Sequence, residues 1–584
     1  MASTDPTAVP HAAATVARVL PDVTGLDKPF DYVVPDGTTV ALGWRVRVPL
    51  HGRRIGGWVV ALDPPDAHAA ELRPIAKVTG HGVPAELIEL AAWASVRWAG
   101  RLRHFLVTAS PDRAVARVPA PQRTGLVVEP RSPASTRLLN GGGGVLRLPP
   151  TSDPLPAVLS AVALGPTLVV VPSVDQSLLI AARLRRAGLT VAVVPGEWAT
   201  AAGGVDVVVG PRSAAWAPCV GLAAVVLLDE HDEALQEEGS PTWHARDVLI
   251  ERCRRARVPL LAVSPCPTLT ATESLGAPVR PPADRERAGW PIVDVVDRGD
   301  EDPWKRSLLT SQLIEHLRDE ARTVVCVSNT TGRSALLACR ACRELARCVR
   351  CDAAVAMGEP DVLSCRRCGL DRPAVCSRCG AARFANLRPG VSRLAEELSA
   401  AAGRPAVLVA GSTSERPPAA GVYVGTEAVL HRVDRADTVA FLDFDRELLA
   451  PRYRAGEQAL ALLARAARLV GRRELGGRIL VQTFTPEHPV LQSARFADPG
   501  RLADAERPTR QLLGLPPYGA LAEVGGKGAE EFVGSLDRSG LRISPSGDNE
   551  WMISADDWMT LGSALSHGTR PPGGRLRIAV DPPR

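Results

Sequence analysis

The sequence predicts a multidomain α/β protein in which two lobes of alternating strands and helices flank a metal-binding insertion. Short apolar runs typical of buried strands recur between residues 145 and 280 and are separated by helix-like stretches. A second set of such runs begins after Lys305 and is interrupted by a cysteine-rich stretch. With 584 residues, the chain is long enough for three or more domains of ordinary size.

The N-terminal region has the pattern of short β-strands. Strand-like segments separated by turns occupy residues 15–78, and the run Arg-Val-Arg-Val at residues 45–48 alternates between charged and apolar side chains. This alternation places the arginines on one face of a strand and the valines on the other. A small sheet or barrel is therefore predicted here.

Changes in composition suggest the domain boundaries. Residues 120–150 are rich in Pro, Arg, Ser and Gly and include four consecutive glycines, which is typical of a linker. The predicted divisions are an N-terminal β-rich domain at 1–115, a linker or reduced region at 116–145, a first lobe at 146–288, a second lobe at 289–487 with its insertion at 339–383, and a small α+β C-terminal domain at 488–584.

Eight of the twelve cysteines lie in four Cys-x-x-Cys motifs between residues 339 and 379. Each motif offers two thiolates on a tight turn, so two motifs complete a tetrahedral shell around Zn²⁺ and four motifs complete two shells. The sequence therefore predicts two structural zinc ions per chain. The spacing between motifs favours a nested pairing. Its inner ligands are Cys348, Cys351, Cys365 and Cys368, and its outer ligands are Cys339, Cys342, Cys376 and Cys379.

Two other uses of these cysteines remain open. Disulfides would need an oxidising compartment, and iron–sulfur ligation usually has less regular spacing. A catalytic zinc is not expected, because both shells are filled by cysteine and leave no open position for water. Residues 1–11 do not resemble a secretory signal, and no apolar run approaches the roughly 20 residues that span a bilayer. We therefore expect a cytoplasmic protein that does not enter a membrane.

Several separated strings resemble the PriA family of bacterial replication restart proteins, also called primosomal protein N-prime. The strings follow the family's order over nearly the whole chain. They are Phe30-Asp31-Tyr32, Gly210-Pro211-Arg212-Ser213-Ala214, Asp229-Glu230-His231-Asp232, His244-Ala245-Arg246-Asp247, the eight-cysteine block, Gln482-Thr483-Phe484-Thr485-Pro486-Glu487-His488-Pro489 and Leu515-Pro516-Pro517-Tyr518-Gly519.

The resemblance implies a more specific fold and function. The two lobes would be RecA-like helicase lobes with a double four-cysteine zinc insertion, the N-terminal domain would bind DNA ends, and residues 116–145 would be a reduced winged-helix region. The implied function is to bind stalled or abandoned replication forks and to direct primosome assembly and reloading of the replicative helicase. The implied partners are forked DNA with a nascent 3′ end, primosome proteins, the replicative helicase or its loader, and single-stranded DNA-binding protein, in a nucleoid-associated setting.

The resemblance also implies where DNA binds. In the family's 3′-end pocket, Phe30 would stack on the terminal base and Asp31 would bond the 3′-hydroxyl, with Tyr32 in the same string and Arg73 as a nearby basic residue. Phe30 can equally be interpreted as a core residue. Arginines around the cysteines could contact phosphates, balance thiolate charge or form a solvated face. They are Arg340, Arg343, Arg347, Arg350, Arg366, Arg367, Arg372, Arg378 and Arg383.

The motor motifs depart from the family pattern. A phosphate-binding loop, G-x-x-x-x-G-K-[ST], needs a lysine, and none occurs between Lys77 and Lys305. The family's D-E-E-H string appears one acid short at residues 229–232, and we interpret Asp229 and Glu230 as acids that cap or solvate a turn. Leu469 replaces the first arginine of the family's arginine-finger string, whereas Arg472 remains.

These departures predict a fork-binding protein that is not an enzyme and has no ATPase or helicase activity of its own. The alternative is an active ATP-dependent 3′–5′ DNA helicase of the primosome, in which nucleotide is held in some other way. A third hypothesis is a zinc-bearing scaffold that no longer contacts DNA. DNA-stimulated ATP turnover and fork binding distinguish the three.

Overall fold

The computed structural model describes residues 16–67, 72–300, 308–328, 337–342, 344–357, 361–365, 367–386, 391–409, 416–573 and 575–583. Within these ranges, two parallel α/β sheets are flanked by antiparallel sheets on their N-terminal and C-terminal sides. The predicted mixed α/β multidomain fold is confirmed. Among the helices of these ranges, none combines the length and the apolarity that a membrane crossing requires.

The N-terminal region is an antiparallel sheet followed by two helices. Its elements are β1 (Val16–Pro21), β2 (Phe30–Val33), β3 (Arg45–Leu50), β4 (Arg53–Leu62), β5 (Lys77–Gly80), α1 (Ala85–Arg97) and α2 (Leu102–Ala109). The described strands are ordered β2-β1-β4-β3-β5. Val46 and Val48 are buried on one face of β3 while Arg45 and Arg47 lie on the other, as the alternation predicts.

The first lobe is a parallel sheet covered on both faces. Its strands are β6 (Gly143–Arg147), β7 (Thr167–Val170), β8 (Val191–Val193), β9 (Val207–Gly210), β10 (Ala224–Leu228) and β11 (Leu260–Ser264). Its helices are α3 (Pro133–Asn140), α4 (Leu155–Val162), α5 (Val174–Arg186), α6 (Trp198–Gly203), α7 (Ala245–Ala256), α8 (Leu269–Leu275) and α9 (Ala283–Ala288). The strand order is β6-β11-β10-β7-β9-β8. Every residue of β10 and β11 is buried, because helices or neighbouring domains cover both faces.

The second lobe is another parallel sheet and carries the insertion. The strands are β12 (Ile292–Asp297), β13 (Val324–Val327), the insertion strands β14 (Leu337–Cys339), β15 (Ala356–Met357), β16 (Val362–Ser364), β17 (Asp371–Pro373) and β18 (Phe384–Asn386), and then β19 (Ala406–Val409), β20 (Val422–Gly425), β21 (Thr438–Phe441) and β22 (Arg478–Thr483). The helices are α10 (Ser311–Arg318), α11 (Val391–Ala402), α12 (Asp445–Leu448), α13 (Ala455–Val470), α14 (Pro489–Arg495) and α15 (Gly500–Leu513). The described lobe strands are ordered β12-β22-β21-β13-β20-β19.

The insertion rests on the second lobe. Ala338, Leu345 and Ala354 of the insertion join the buried core of that lobe. The Ala354 backbone N–H also donates to the Leu449 carbonyl at 2.5 Å. The insertion is therefore packed against the second lobe and is not attached to it through its two chain connections alone.

The C-terminal region is an antiparallel sheet with two helices. Its elements are β23 (Ala520–Gly525), α16 (Ala529–Gly534), β24 (Leu541–Gly547), β25 (Glu550–Ala555), α17 (Trp558–His567) and β26 (Arg577–Val580), and the described strands are ordered β24-β25-β23-β26. Helix α17 crosses α1 at close range. A Cβ atom at Gly562 would lie 2.6 Å from the Val96 carbonyl oxygen, so this crossing requires glycine.

One buried core joins the N-terminal helices, the first lobe and the C-terminal region. An aromatic row runs through this core. In spatial order its members are Trp558, Trp93, Trp98, Phe105, Trp216 and Trp243, with 5.4–6.5 Å between neighbouring ring centroids. Large aromatic side chains bury much apolar area, so these three regions are held together chiefly by the hydrophobic effect.

Candidate functional site

The structure brings the eight cysteines of the insertion into two groups of four. Within each group the sulfur atoms all lie within 4.8 Å of one another. The groups are Cys339, Cys342, Cys376 and Cys379, and Cys348, Cys351, Cys365 and Cys368. The nearest Sγ atoms are 3.5–3.6 Å apart. This spacing is close to the edge of about 3.8 Å expected for a tetrahedron with Zn–S bonds of about 2.3 Å. All twelve cysteines of the chain lie in the described residues and are free thiols.

All four Cys-x-x-Cys motifs fold into the same tight turn. In each motif the backbone N–H of the first cysteine donates to the carbonyl of the residue five positions later, at 2.8–2.9 Å. The residue after the second cysteine has a positive φ of 57° at Asp352, 69° at Gly369 and 75° at Gly380. Glycine and aspartate tolerate this conformation best, which explains those residue types. The corresponding Arg343 lies outside the described residues.

The two cysteine groups differ in exposure. Every cysteine of the inner group is buried or half-buried, whereas Cys379 of the outer group is exposed. Some arginines of the insertion are engaged internally, since Arg347 contacts Asp352 at 3.1 Å and Arg372 donates to the Val375 carbonyl at 2.7 Å. The exposed arginines include Arg340, Arg350 and Arg378. Arg343 and Arg366 lie outside the described residues.

A cleft between the lobes brings acids of the first lobe against arginines of the second. Asp229 follows β10, and only 6% of it is exposed. Its carboxylate accepts hydrogen bonds from both terminal nitrogens of Arg468 in α13 and from Gln176 Nε2 at 2.8 Å. Burial raises the pKa of Asp229, but the Arg468 guanidinium outweighs burial and holds this pKa well below its usual range.

The loop between β6 and α4 also borders the cleft. Arg468 Nε donates to the Pro150 carbonyl of this loop at 3.1 Å. The sequence places this loop where a phosphate-binding loop would follow the first strand of the lobe. One guanidinium therefore bridges the end of β10 and the end of β6.

A second ion pair crosses the cleft one turn earlier on α13. Arg465 pairs with Asp232, and its Nη1 donates to His431 Nδ1 at 2.7 Å. Burial, followed by the neighbouring Arg465 guanidinium, lowers the pKa of His431 to about 4. Arg472, the arginine that the string at 465–472 retains from the family pattern, is exposed. The arginines that face the first lobe are thus not the one that the motif predicts.

Glu230 is held within the first lobe. It is fully buried and accepts hydrogen bonds from Arg246 Nη1 at 2.9 Å and from Thr268 Oγ1 at 2.6 Å. Of the interpretation of Asp229 and Glu230 as acids that cap or solvate a turn, solvation is wrong, because both are buried and both are paired with arginine. Glu230 does accept from the Thr268 backbone N–H at 3.1 Å, just before α8. Burial of a carboxylate is tolerated only when such partners replace water.

The N-terminal candidate residues lie on β2 and beside it. Asp31 is directly opposite Arg18 in the pairing of β1 with β2. Arg18 Nε donates to Asp31 Oδ1 at 2.7 Å and Nη2 donates to Oδ2 at 3.0 Å. Phe30 and Tyr32 lie on the opposite face of β2, against the core of the sheet. Phe30 is half-buried and Tyr32 is buried, so the structure separates the Phe30 ring from the Asp31 carboxylate.

Positive charge surrounds this strand. The Arg73 carbonyl accepts from the Val33 N–H at 3.0 Å, which places Arg73 alongside β2. Lys28 Nζ lies 6.0 Å from the centroid of the Phe30 ring. Arg18 was not among the sequence candidates. A lone arginine within the apolar strand sequence Val16-Ala17-Arg18-Val19-Leu20 was the signal that could have found it.

The comparisons with known proteins bear on the N-terminal region first. A family model described as the 3′DNA-binding domain (3′BD) of PriA matches residues 18–111. The "Probable replication restart protein PriA" of Mycobacterium tuberculosis is 30% identical over 569 residues, which cover 86% of this chain and 85% of that protein. The chain belongs to the PriA family. The resemblance inferred from the sequence is confirmed.

Other PriA relatives match over shorter regions. Replication restart protein PriA of Bacillus subtilis is 27% identical over 346 residues, which cover 55% of this chain and 43% of that protein. The PriA of Thermotoga maritima is 27% identical over 393 residues, which cover 62% of this chain and 52% of that protein. The chain thus spans about half the length of these two relatives. The solved structure of the Escherichia coli DEAH/RHA helicase HrpB covers 60% of this chain with 14% identity and a TM-score of 0.31.

The prediction that the chain is not an enzyme is wrong. It conflicts with membership of the PriA family. The prediction relied on departures from the motor motifs: no lysine between Lys77 and Lys305, an acid missing from the string at 229–232, and Leu469 in the arginine-finger string. Between the lobes, the fold keeps a cleft in which acids at a strand end of the first lobe face arginines of the second lobe.

Proposed function

We propose that this chain is a replication restart protein that binds branched DNA at the 3′ end of a nascent strand. The match of the 3′DNA-binding domain to residues 18–111 carries this proposal. Asp31 on β2, paired with Arg18 and with Arg73 alongside the strand, supports it further. Carboxylates accept hydroxyl hydrogen bonds, and guanidinium groups contact phosphates.

The proposal extends to partners and metal. The chain would direct primosome proteins and reload the replicative helicase at the fork, in contact with single-stranded DNA-binding protein, in the nucleoid of the cytoplasm. Each four-cysteine group would hold one zinc ion, since four thiolates at tetrahedral spacing form the donor set that zinc prefers. We also propose residues 1–115, 146–288, 289–487 and 488–584 as its principal domains, with α3 and β6 extending the first lobe before residue 146 and α14 and α15 extending the second lobe after residue 487.

Fork binding tests the proposal directly. The zinc-loaded chain should bind a forked duplex with a free 3′-hydroxyl at its branch point more tightly than the same fork with that end blocked. Asp31→Ala should remove this preference. The exposed pair of Arg542 and Asp556 offers a control, because Arg542→Ala lies in the C-terminal sheet and should leave fork binding unchanged. Equal affinity of the unmodified chain for both forks would contradict the proposal.

A second activity, ATP-dependent 3′–5′ unwinding, is favoured by the cleft. Asp229 and Arg468 face each other across the lobes, which is where a motor places its metal-binding acid and its phosphate-contacting arginine. The guanidinium groups of Arg468 and Arg465 could supply the positive charge that a lysine gives in other motors. DNA-stimulated ATP turnover should therefore be measurable, and Arg468→Ala should reduce it by a factor of about 10³ or more. Unchanged ATP turnover in Arg468→Ala would show that hydrolysis does not depend on this cleft.

A further inference from the structure

The carboxylate of Asp31 is oriented by Arg18. Arg18 donates one hydrogen bond to each of the carboxylate's two oxygen atoms, at 2.7 and 3.0 Å. The two residues are direct cross-strand neighbours, so the backbone register of β1 and β2 holds them together. Arg18 Nη2 donates in addition to Asp66 at 2.9 Å. Paired guanidinium and carboxylate forks of this kind are more directional than a single ion pair.

The hydrogen bonds from Arg18 leave acceptor positions of the Asp31 carboxylate available to a ligand. An ionised carboxylate has about four acceptor positions on its two oxygen atoms. Arg18 occupies one position on each oxygen, and 17% of the Asp31 side chain remains exposed. A hydroxyl group can therefore approach Asp31 without displacing Arg18.

The pairing also solves an electrostatic difficulty. A lone carboxylate repels the phosphates of DNA, which weakens any site that needs an acid to recognise a hydroxyl. Because a guanidinium stays protonated, Arg18 places a positive charge against Asp31 and reduces this repulsion while leaving the carboxylate able to accept a hydrogen bond. Arg18 also contacts Asp66, so this single guanidinium serves two carboxylates.

We propose that Arg18 is a positioning residue for recognition of the 3′-terminal hydroxyl, because its paired hydrogen bonds fix the Asp31 carboxylate that accepts from that hydroxyl. This inference rests on the proposed binding of a 3′ end by the N-terminal domain. Arg18 acts through Asp31. It determines the preference for a hydroxyl end rather than the general affinity for DNA.

The test compares two DNA ends in the full, zinc-loaded chain. Fluorescence anisotropy measures the Kd for forks that end in a 3′-hydroxyl or in a 3′-deoxy sugar, and the ratio of these Kd values is the readout. Arg18→Ala should bring the ratio about tenfold closer to unity, as expected when a charge-assisted hydrogen bond is no longer oriented. Arg18→Lys keeps the charge but cannot span both oxygens, so its ratio should lie as close to unity as that of Arg18→Ala while its general affinity for forks stays that of the unmodified chain.

A matched control is available on the same sheet. Arg45 pairs with Asp22 at 3.0 Å, with 30% and 22% of the two side chains exposed, which resembles the 25% and 17% of Arg18 and Asp31. Arg45→Ala should leave the ratio unchanged even where it lowers the melting temperature. If Arg18→Ala fails to fold, the ratio of the Arg18→Lys variant decides.

Two results would overturn the inference in different ways. A normal hydroxyl preference in Arg18→Ala or Arg18→Lys would show that Asp31 needs no positioning, and 3′-end binding would stand. Failure of the unmodified chain to distinguish the two ends would remove the proposed function together with this inference. A purely structural role for Arg18 would change the Kd of both forks equally and leave their ratio intact.

Discussion

The first lobe meets its neighbours through two boundaries of opposite chemistry. Toward the N-terminal helices and the C-terminal sheet, it buries aromatic side chains such as Trp216 and Trp243 in one shared core. Toward the second lobe it presents acids that pair with Arg465 and Arg468. Among the described residues, the buried core of the second lobe takes in a single side chain of the first, Cys266.

We therefore expect two mechanical units, joined also by a small apolar cluster of Tyr453, Leu515 and Leu521. We refer to residues 16–288 and 520–583 as the aromatic unit and to residues 289–513 as the lobe-2 unit. Apolar burial is non-directional and insensitive to salt, so the parts of the aromatic unit should stay together. Ion pairs depend on geometry, salt and protonation, so the boundary between the units should open more easily. A change in the cleft would then move the cysteine groups relative to the 3′-end domain.

Removal of metal should give the largest effect and should be confined to the lobe-2 unit. Structural zinc sites contribute apparent binding energies of about 10–16 kcal/mol, which are folding energy for the segment that holds them. Chelation should therefore expose residues 337–386 to protease. All tryptophans except Trp290 and Trp304 lie in the aromatic unit, so tryptophan emission should barely change. A red shift that accompanies cleavage would contradict the separation into two units.

Truncation of Trp216 should destabilise the aromatic unit as a whole. This side chain is fully buried between Phe105 and Trp243. Trp216→Ala should lower the free energy of unfolding by about 3–5 kcal/mol, with hydrogen exchange rising together in α1, α2 and α17. Leu512→Ala is the control, since Leu512 is 86% exposed and its loss should cost less than about 0.5 kcal/mol. A rise in hydrogen exchange confined to the first lobe would contradict the expectation that the aromatic unit is destabilised as a whole.

Loss of one partner across the cleft should loosen the boundary between the units. Asp229→Asn leaves Arg468 without its counter-charge, and because 38% of that arginine side chain is exposed, we expect a cost of about 1–3 kcal/mol. Energy transfer between dyes on the two lobes should report a wider separation, as should the unmodified chain in 1 M salt. The exchanged pair, Asp229→Arg combined with Arg468→Asp, should recover part of the energy transfer that Asp229→Asn loses. Unchanged transfer in Asp229→Asn would show that apolar contacts suffice.

Mild acid should have the smallest effect. The pKa of His431 is lowered to about 4 in the folded chain, against about 6.5 when unfolded. The unfolded chain therefore binds more protons between these values, so stability falls as the pH decreases from 6.5 to 4 and changes no further below. His431→Gln should remove about 1 kcal/mol of this dependence, because the residue is partly exposed. A chemical unfolding series against pH measures the slope, and an identical slope in both proteins would exclude His431.

The sequence predicted the two groups of cysteines and the lobes because their signals are local. Four Cys-x-x-Cys motifs and alternating apolar runs are visible within short windows, and the two groups of sulfur atoms correspond to the nested pairing. Motif matching was weaker at the cleft. It drew attention to Leu469 and Arg472, whereas Arg468 is the residue that reaches Asp229.

By itself, the sequence determined the double four-cysteine insertion and the α/β lobes, since periodicity and cysteine spacing are properties of neighbouring residues. Its separated motif strings indicated the family by resemblance. Tertiary structure alone decided that Asp229 faces an arginine 239 positions away, that Arg18 orients Asp31, and that aromatic side chains of three regions form one core. These contacts depend on how distant elements cross and on which side chains are deprived of water. No local pattern specifies that geometry, because many registers of the same strands and helices satisfy the same hydrophobic pattern.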